Sequence, residues 1–221
     1  MTFDILKYRM PLSKAHKAGT HARILDSAGR LFRERGFAAT GIDALMDAAG
    51  LTRGGFYAHF PDKEAVLVEV LLADRGLPRM LRERTGRSSA QLRRQAGRIF
   101  ADYLAPAHQR EVATGCSAAA LAADAGRAGP KARAAYRRLL TTIAGELLRR
   151  PGEAAARAWR SAGAGRRREA LFVVALATGA VATARALDDR RLAKVVLRQA
   201  LDRLRAFLRQ DPLARKIVVR P

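Results

Sequence analysis

Thr40-Gly-Ile-Asp-Ala-Leu-Met-Asp-Ala-Ala-Gly-Leu-Thr-Arg-Gly-Gly-Phe-Tyr-Ala-His-Phe60 decides how this chain reads. Thr40 suits an N-cap and Asp43 the first turn of a helix. Ile42, Leu45, Met46 and Ala49 follow at helical spacing. Gly50 can take the positive φ that stops a helix. Thr52 can cap a second helix at once, with Arg53, Gly54, Gly55, Tyr57 and His59 on one side and Phe56 and Phe60 on the other. Two short helices around a glycine turn, the second starting cationic and small, have the form of a DNA-binding helix-turn-helix.

The residue chemistry agrees. Arg53 can donate two parallel bonds to the O6/N7 edge of guanine. Gly54 and Gly55 each cost a helix about 1 kcal/mol against Ala, so a pair of them implies close approach of something to the backbone. Thr40, Thr52, Tyr57, His59 and Lys63 are expected to hold phosphates, which position a protein without reading sequence.

On these residues the chain resembles the TetR/AcrR family of bacterial transcription regulators. The resemblance rests on Ala49-Gly-Leu-Thr-Arg-Gly-Gly-Phe-Tyr-Ala-His-Phe-Pro-Asp-Lys-Glu64 and on Ile24-Leu-Asp-Ser-Ala-Gly-Arg-Leu-Phe-Arg-Glu-Arg-Gly-Phe37. It extends over roughly residues 20–70. Family members often carry Thr where this chain has Gly41. The resemblance implies an all-α fold: a three-helix head and a C-terminal helical domain that binds an inducer and dimerises through its last two helices. It also implies that a Lys at position 63 touches the DNA backbone.

Around this stretch the expected organisation is a flexible basic lead (1–17), a DNA-binding head (18–63), a helical ligand-binding and dimerisation domain (64–211) and a tail (212–221). The lead carries Lys7, Arg9, Lys14 and Lys17, and Met10 is a second possible start. A helix is predicted from about Thr20 to Arg35, ended by Gly36, with Ile24, Leu25, Ala28, Leu31 and Phe32 on one face. Asp62 should cap the next helix, which links head to body. Residues 79–89 read as loop. Helices follow at about 90–104, 117–125, 131–149, 166–187 and 190–208, with a short one around Trp159. No stretch alternates with period two long enough for a strand.

Composition sets the outer limits. The 221 residues hold 42 Lys+Arg against 20 Asp+Glu, a formal charge of +22 that favours polyanions, nucleic acid above all. A single cysteine excludes an intramolecular disulfide framework. Residues 1–20 hold no apolar core of signal-peptide length, and the apolar run 170–184 reads as a buried helix too short to span a bilayer. The expectation is a cytoplasmic bacterial protein with no membrane partner, nucleoid-associated when bound to DNA.

The small-residue stripe Ala175, Gly179, Ala182 and Thr183 suits a four-helix bundle made by two copies. Two heads would then enter successive major grooves about 34 Å apart and read a palindrome in double-stranded DNA. Phe100, Tyr103, His108, Cys116, Tyr136 and Trp159 are placed nearest an inducer cavity, whose apolar lining suits an aromatic or lipophilic ligand. Cys116, just before a helix start, is a reactive thiol or a small core side chain.

No cofactor or metal is expected, and enzyme chemistry finds little footing. The four histidines show no metal-ligand spacing, and there is no phosphate-binding Gly-Lys-Ser/Thr loop or nucleophile elbow. The reading is a ligand-responsive repressor. The alternatives are a nonspecific DNA-compacting protein and a small-molecule enzyme on a helical scaffold.

Overall fold

A computed structural model describes residues 14–73 and 75–209, and in them every regular element is helical. The proposed tail and residues 1–13 of the lead lie outside this range. The elements, in order, are α1 (Lys14–Arg35), α2 (Ile42–Ala48), a 3₁₀ helix (Arg53–Ala58), α3 (Lys63–Leu72), α4 (Leu77–Arg82), α5 (Ser89–Tyr103), α6 (Pro106–Arg110), α7 (Ser117–Ala120), α8 (Ala122–Ala128), α9 (Pro130–Leu148), α10 (Ala155–Ser161), α11 (Ala164–Ala186) and α12 (Arg190–Arg209).

The head forms as its apolar spacing dictates. Ile24, Ala28, Leu31 and Phe32 of α1 are buried with Leu45, Met46, Phe56 and Phe60. Two side chains of α1 close the C-terminal end of α2: Arg23 donates to the Ala49 carbonyl (2.5 Å) and Ser27 to that of Ala48 (3.1 Å). Gly36 and Gly50 stop their helices at φ 84° and 65°, values only glycine adopts without strain.

Several boundaries differ from the sequence reading. Helix α1 starts at Lys14, so residues 14–17 are helical rather than part of a flexible lead. The cap of α2 is Gly41, not Thr40, whose hydroxyl turns back to the Gly36 carbonyl (2.8 Å). Residues 79–89 are not a simple loop. Pro78 starts α4, and Arg84 plunges inward to donate to the carbonyls of Leu81 (2.6 Å), Leu92 (2.9 Å) and Glu146. The expected helix 117–125 is broken at Leu121 into α7 and α8.

Helix α3 is the beam between head and body. Asp62 caps it, accepting from the Ala65 amide (2.7 Å). Val66, Leu67, Val70 and Leu71 are buried, and α3 lies along α1 on one side and α9 on the other. Four polar ties reinforce the joint. Glu64 Oε1 accepts from the Ala132 amide (3.2 Å) at the start of α9, closing orphan donors of that helix. Asp124 accepts from the Phe37 amide (3.2 Å), and Arg33 donates to the Ala113 carbonyl (2.7 Å). His21 of α1 pairs with Glu69 of α3 (2.7 Å).

The last two helices pack on each other, α11 also on α9 and α12 on α5. Helix α11 has 23 residues and is long and apolar enough to cross a bilayer by length and composition, which corrects the shorter run read from sequence. Its face bearing Val173, Val174, Ala177, Val181 and Ala184 is buried in the body. The opposite face exposes Phe172, Ala175, Gly179 and Thr183, and Leu192 and Val195 of α12 are exposed as well. Helix α12 divides likewise: Ala193, Leu197, Ala200, Leu204 and Leu208 are buried.

Candidate nucleic-acid interface and interior cluster

Thr52, Arg53, Gly54 and Tyr57 form an exposed ridge at the tip of the head. They sit on the 3₁₀ helix, where an α-helix was expected. Its first bond runs from the Gly55 amide to the Thr52 carbonyl (3.0 Å), and two adjacent glycines offer no side-chain packing to favour the wider α turn. Phe56 is fully buried and pins the ridge to α1 and α2. Tyr57 points outward, 63% exposed.

The glycine pair is not explained by the fold. A Cβ added at Gly54 would meet nothing within 4 Å, and one at Gly55 only the Met46 methyl at an ordinary 3.6 Å. Neither has a positive φ. Among the described residues nothing stands in the way of a side chain at either position. Arg53 is pre-aimed by Asp43 across the turn (2.7 Å), a pair exposed at both ends and thus easily exchanged for another acceptor.

Two residues expected at phosphates are placed differently. Thr40 is fully buried, so its side chain cannot reach a ligand. The Lys63 ammonium donates to the carbonyls of Phe37 and Thr40 (2.9 Å each) and sits 4.3 Å over the Phe37 ring. Burial lowers its pKa. Lys63 therefore braces the turn after α1 instead of lying free on the surface. His59 is half-buried, its Nδ1 without a partner, and its pKa is lowered by burial and then by His21, Lys17 and His16.

In the body, Tyr103, His108 and Cys116 come together. The Tyr103 and His108 rings lie 4.7 Å apart. The Tyr103 hydroxyl is buried beside the Cys116 thiol, and burial, then Cys116, pushes its pKa well above 10.0. His108 Nε2 is buried and unpartnered, and burial and then Arg185 lower its pKa. Tyr136 lies near the same thiol, but its hydroxyl is engaged by the Ala118 carbonyl (2.7 Å), and its pKa is pushed up to about 12 by burial. Phe100 is core, one turn before Tyr103. Trp159 sits apart on α10, which packs against α9, with Arg167 over its ring at 5.5 Å.

Sequence reasoning missed Arg185. From the end of α11 it donates to the carbonyls of Gln109 (3.0 Å), His108 (3.2 Å) and Glu111 (3.2 Å), leaving Nη1 buried and unpartnered. Gly115 makes room for it: a Cβ there would fall 2.6 Å from Arg185 Nη2 and 2.5 Å from the Glu111 carbonyl. A cation closing an otherwise apolar helix was the available signal. Arg33 was missed too. It reaches from the head helix to Ala113 and Ser117, the segment that carries Cys116.

Residues 24–70 match the family described as bacterial regulatory proteins, tetR family. The repressor KstR2 of Rhodococcus jostii is 44% identical over 55 residues, 25% of this chain and 27% of its own. The regulator AcrR of Shigella flexneri is 40% identical over 58 residues, 26% and 27%. The matched segment thus spans about a quarter of those relatives' length. Over most of the chain the fold is similar to that of E. coli NemR in its reduced form, with TM-score 0.64, 21% identity and coverage of 86% of this chain and 97% of that one. It is also similar to FadR of Bacillus subtilis solved with stearoyl-CoA, with TM-score 0.57, 15% identity and coverage of 83% and 97%.

Proposed function

We propose, from the match of residues 24–70 to the tetR family of bacterial regulatory proteins and the shared helical fold, that the chain is a ligand-responsive repressor of the TetR/AcrR family. It binds a two-fold symmetric operator as a homodimer in the bacterial cytoplasm, associates with the nucleoid while bound, and is released by a small-molecule inducer. Its work is recognition of DNA, not turnover of a substrate. The head (18–63) reads DNA and the body (64–211) senses and dimerises.

The observation that carries this reading is the open ridge Thr52–Tyr57. Two glycines there answer to no packing or φ requirement within the chain, beside an arginine aimed from the turn. Base edges and phosphates can come up to the bare backbone at Gly54 and Gly55, while Arg53 exchanges Asp43 for guanine. Thr52, Tyr57 and His59 flank the ridge and position it on phosphates. Thr40 and Lys63 hold its base rather than touch DNA.

Dimerisation uses the exposed faces of α11 and α12. Phe172, Leu192 and Val195 are exposed beside a shallow apolar groove of about 440 Å³ floored by Ala175, Gly179 and Ala200. A second copy laid on these faces buries what one copy leaves wet.

The inducer site is the Tyr103–His108–Cys116–Arg185 cluster, where buried His108 Nε2 and Arg185 Nη1 have no hydrogen-bond partner within the chain. Phe100 and Tyr136 complete its apolar wall, so an aromatic or lipophilic molecule with one polar end fits. Its occupation shifts the 111–117 segment, and Arg33 carries the shift to α1. Only a ligand that binds the two head poses unequally can release DNA in this way. Footprinting on the DNA flanking the protein's own gene tests the reading. A protected two-fold symmetric site, lost on adding an inducer, is expected; uniform protection of any duplex contradicts it.

A further inference from the structure

The groove between α5 and α12 answers to neither the DNA face nor the interior cluster. Five arginines line it: Arg93, Arg94 and Arg98 from α5, Arg205 and Arg209 from α12. Its floor is small and apolar, made by Ala90, Gly97, Ala101 and Leu208, and its volume is about 580 Å³. Arg94 and Arg98 also wall an adjoining polar recess of about 380 Å³, shared with Arg87 and the amides of Gln91 and Gln95. Among the described residues no carboxylate lines either space.

Cations on two elements converge here against their mutual repulsion. Some exposed arginines elsewhere meet acids, as Arg79 meets Glu83 and Arg75 meets Asp26. Among the described residues Arg87, Arg94, Arg98, Arg205 and Arg209 make no such side-chain pair. Arg94, Arg98, Arg205 and Arg209 around an apolar floor match an amphipathic anion. Arginine stems extend the apolar surface while their planar heads chelate phosphate oxygens two at a time. The volume falls in the range of small-molecule sites. Helix α5 packs on α4, α6 and α12, away from the DNA-facing ridge.

We propose that this groove binds an acyl chain carrying a phosphate-rich head, the chain on the Gly97–Ala101–Leu208 floor and the head among Arg87, Arg94 and Arg98. The site is separate from the interior cluster, and its failure leaves the operator reading intact.

The test is calorimetric titration of the full chain with lauroyl-coenzyme A below its micelle concentration, beside free coenzyme A, laurate and phosphatidylglycerol vesicles. The expected result is saturable binding of lauroyl-coenzyme A, at least tenfold weaker for free coenzyme A and for laurate. The double variant R94A/R98A should weaken binding at least tenfold, and Gly97→Trp, which fills the floor, should do the same. Circular dichroism should show both variants folded. Equal binding by wild type and both variants would move the ligand elsewhere and overturn the proposal. So would equal affinity for free coenzyme A, no binding at all, or arginine-dependent capture by vesicles alone. Loss of operator binding by R94A/R98A as severe as that caused by Arg53→Ala would assign these arginines to DNA and overturn it too.

Discussion

Gly54 and Arg53 separate a fold requirement from a functional one. An alanine at Gly54 meets open space and no positive φ, so Gly54→Ala should leave the melting temperature unchanged or raise it, by up to about 1 kcal/mol of stability. The same methyl stands where base edges or phosphates must come, so operator affinity should fall at least tenfold in a gel-shift titration. Equal affinity would remove DNA from the ridge. Arg53→Ala should cost about 1–3 kcal/mol of operator binding with little change in stability, because the pair it leaves with Asp43 is exposed on both sides. Both residues were legible in the sequence, since their chemistry is local to one turn. Arg185 and Arg33 were not. Their partners lie 74–77 and 80–84 positions away, and nothing in a linear pattern marks an arginine that folds back onto carbonyls at that distance.

At the scale of elements, cations serve as internal struts. Lys63 opens α3 yet reaches back to two carbonyls of the turn that follows α1. Lys63→Met should therefore destabilise the head by about 1–2 kcal/mol in thermal or denaturant unfolding, through two unsatisfied carbonyls. A variant of full stability with weakened DNA binding would restore the phosphate role instead. Arg84 is the stronger case. It is 7% exposed, bonds three carbonyls across α4, α5 and α9, and has its pKa lowered to about 10 by burial and then by Arg149. Arg84→Met should cost about 3 kcal/mol in chemical denaturation, since an apolar side chain of similar length leaves those acceptors unmet. The long helices and their order were readable because apolar spacing repeats over many turns, whereas the short α4 and α6 were not. Polar stretches such as 79–89 were not, because an arginine bound for the core looks in sequence like one bound for water. The 3₁₀ form of the reading helix escaped for a related reason: two glycines weaken the α preference without stating what replaces it.

The whole molecule couples a DNA-facing ridge, an interior polar cluster and an uncovered apolar face. His59 and His108 both hold their protons less tightly than an ordinary histidine, through burial first and neighbouring charge second. The unfolded chain then takes up more protons as the pH falls through about 6.5, so stability should drop through that value and level off below the folded-state pKa values. Melting at pH 5.5 should precede melting at pH 7.5, and His108→Gln should shrink the difference. In the proposed dimer Val195→Arg places a charge within the shared face of α11 and α12 and should give a folded monomer by sedimentation. The most direct test of the central claim is selection of duplexes by the purified chain from a random-sequence pool. The account predicts enrichment of two inverted half-sites whose centres lie about one helical turn, or a multiple of it, apart. Recovery of a pool with no shared sequence, or of a single asymmetric half-site bound by one copy, would contradict it.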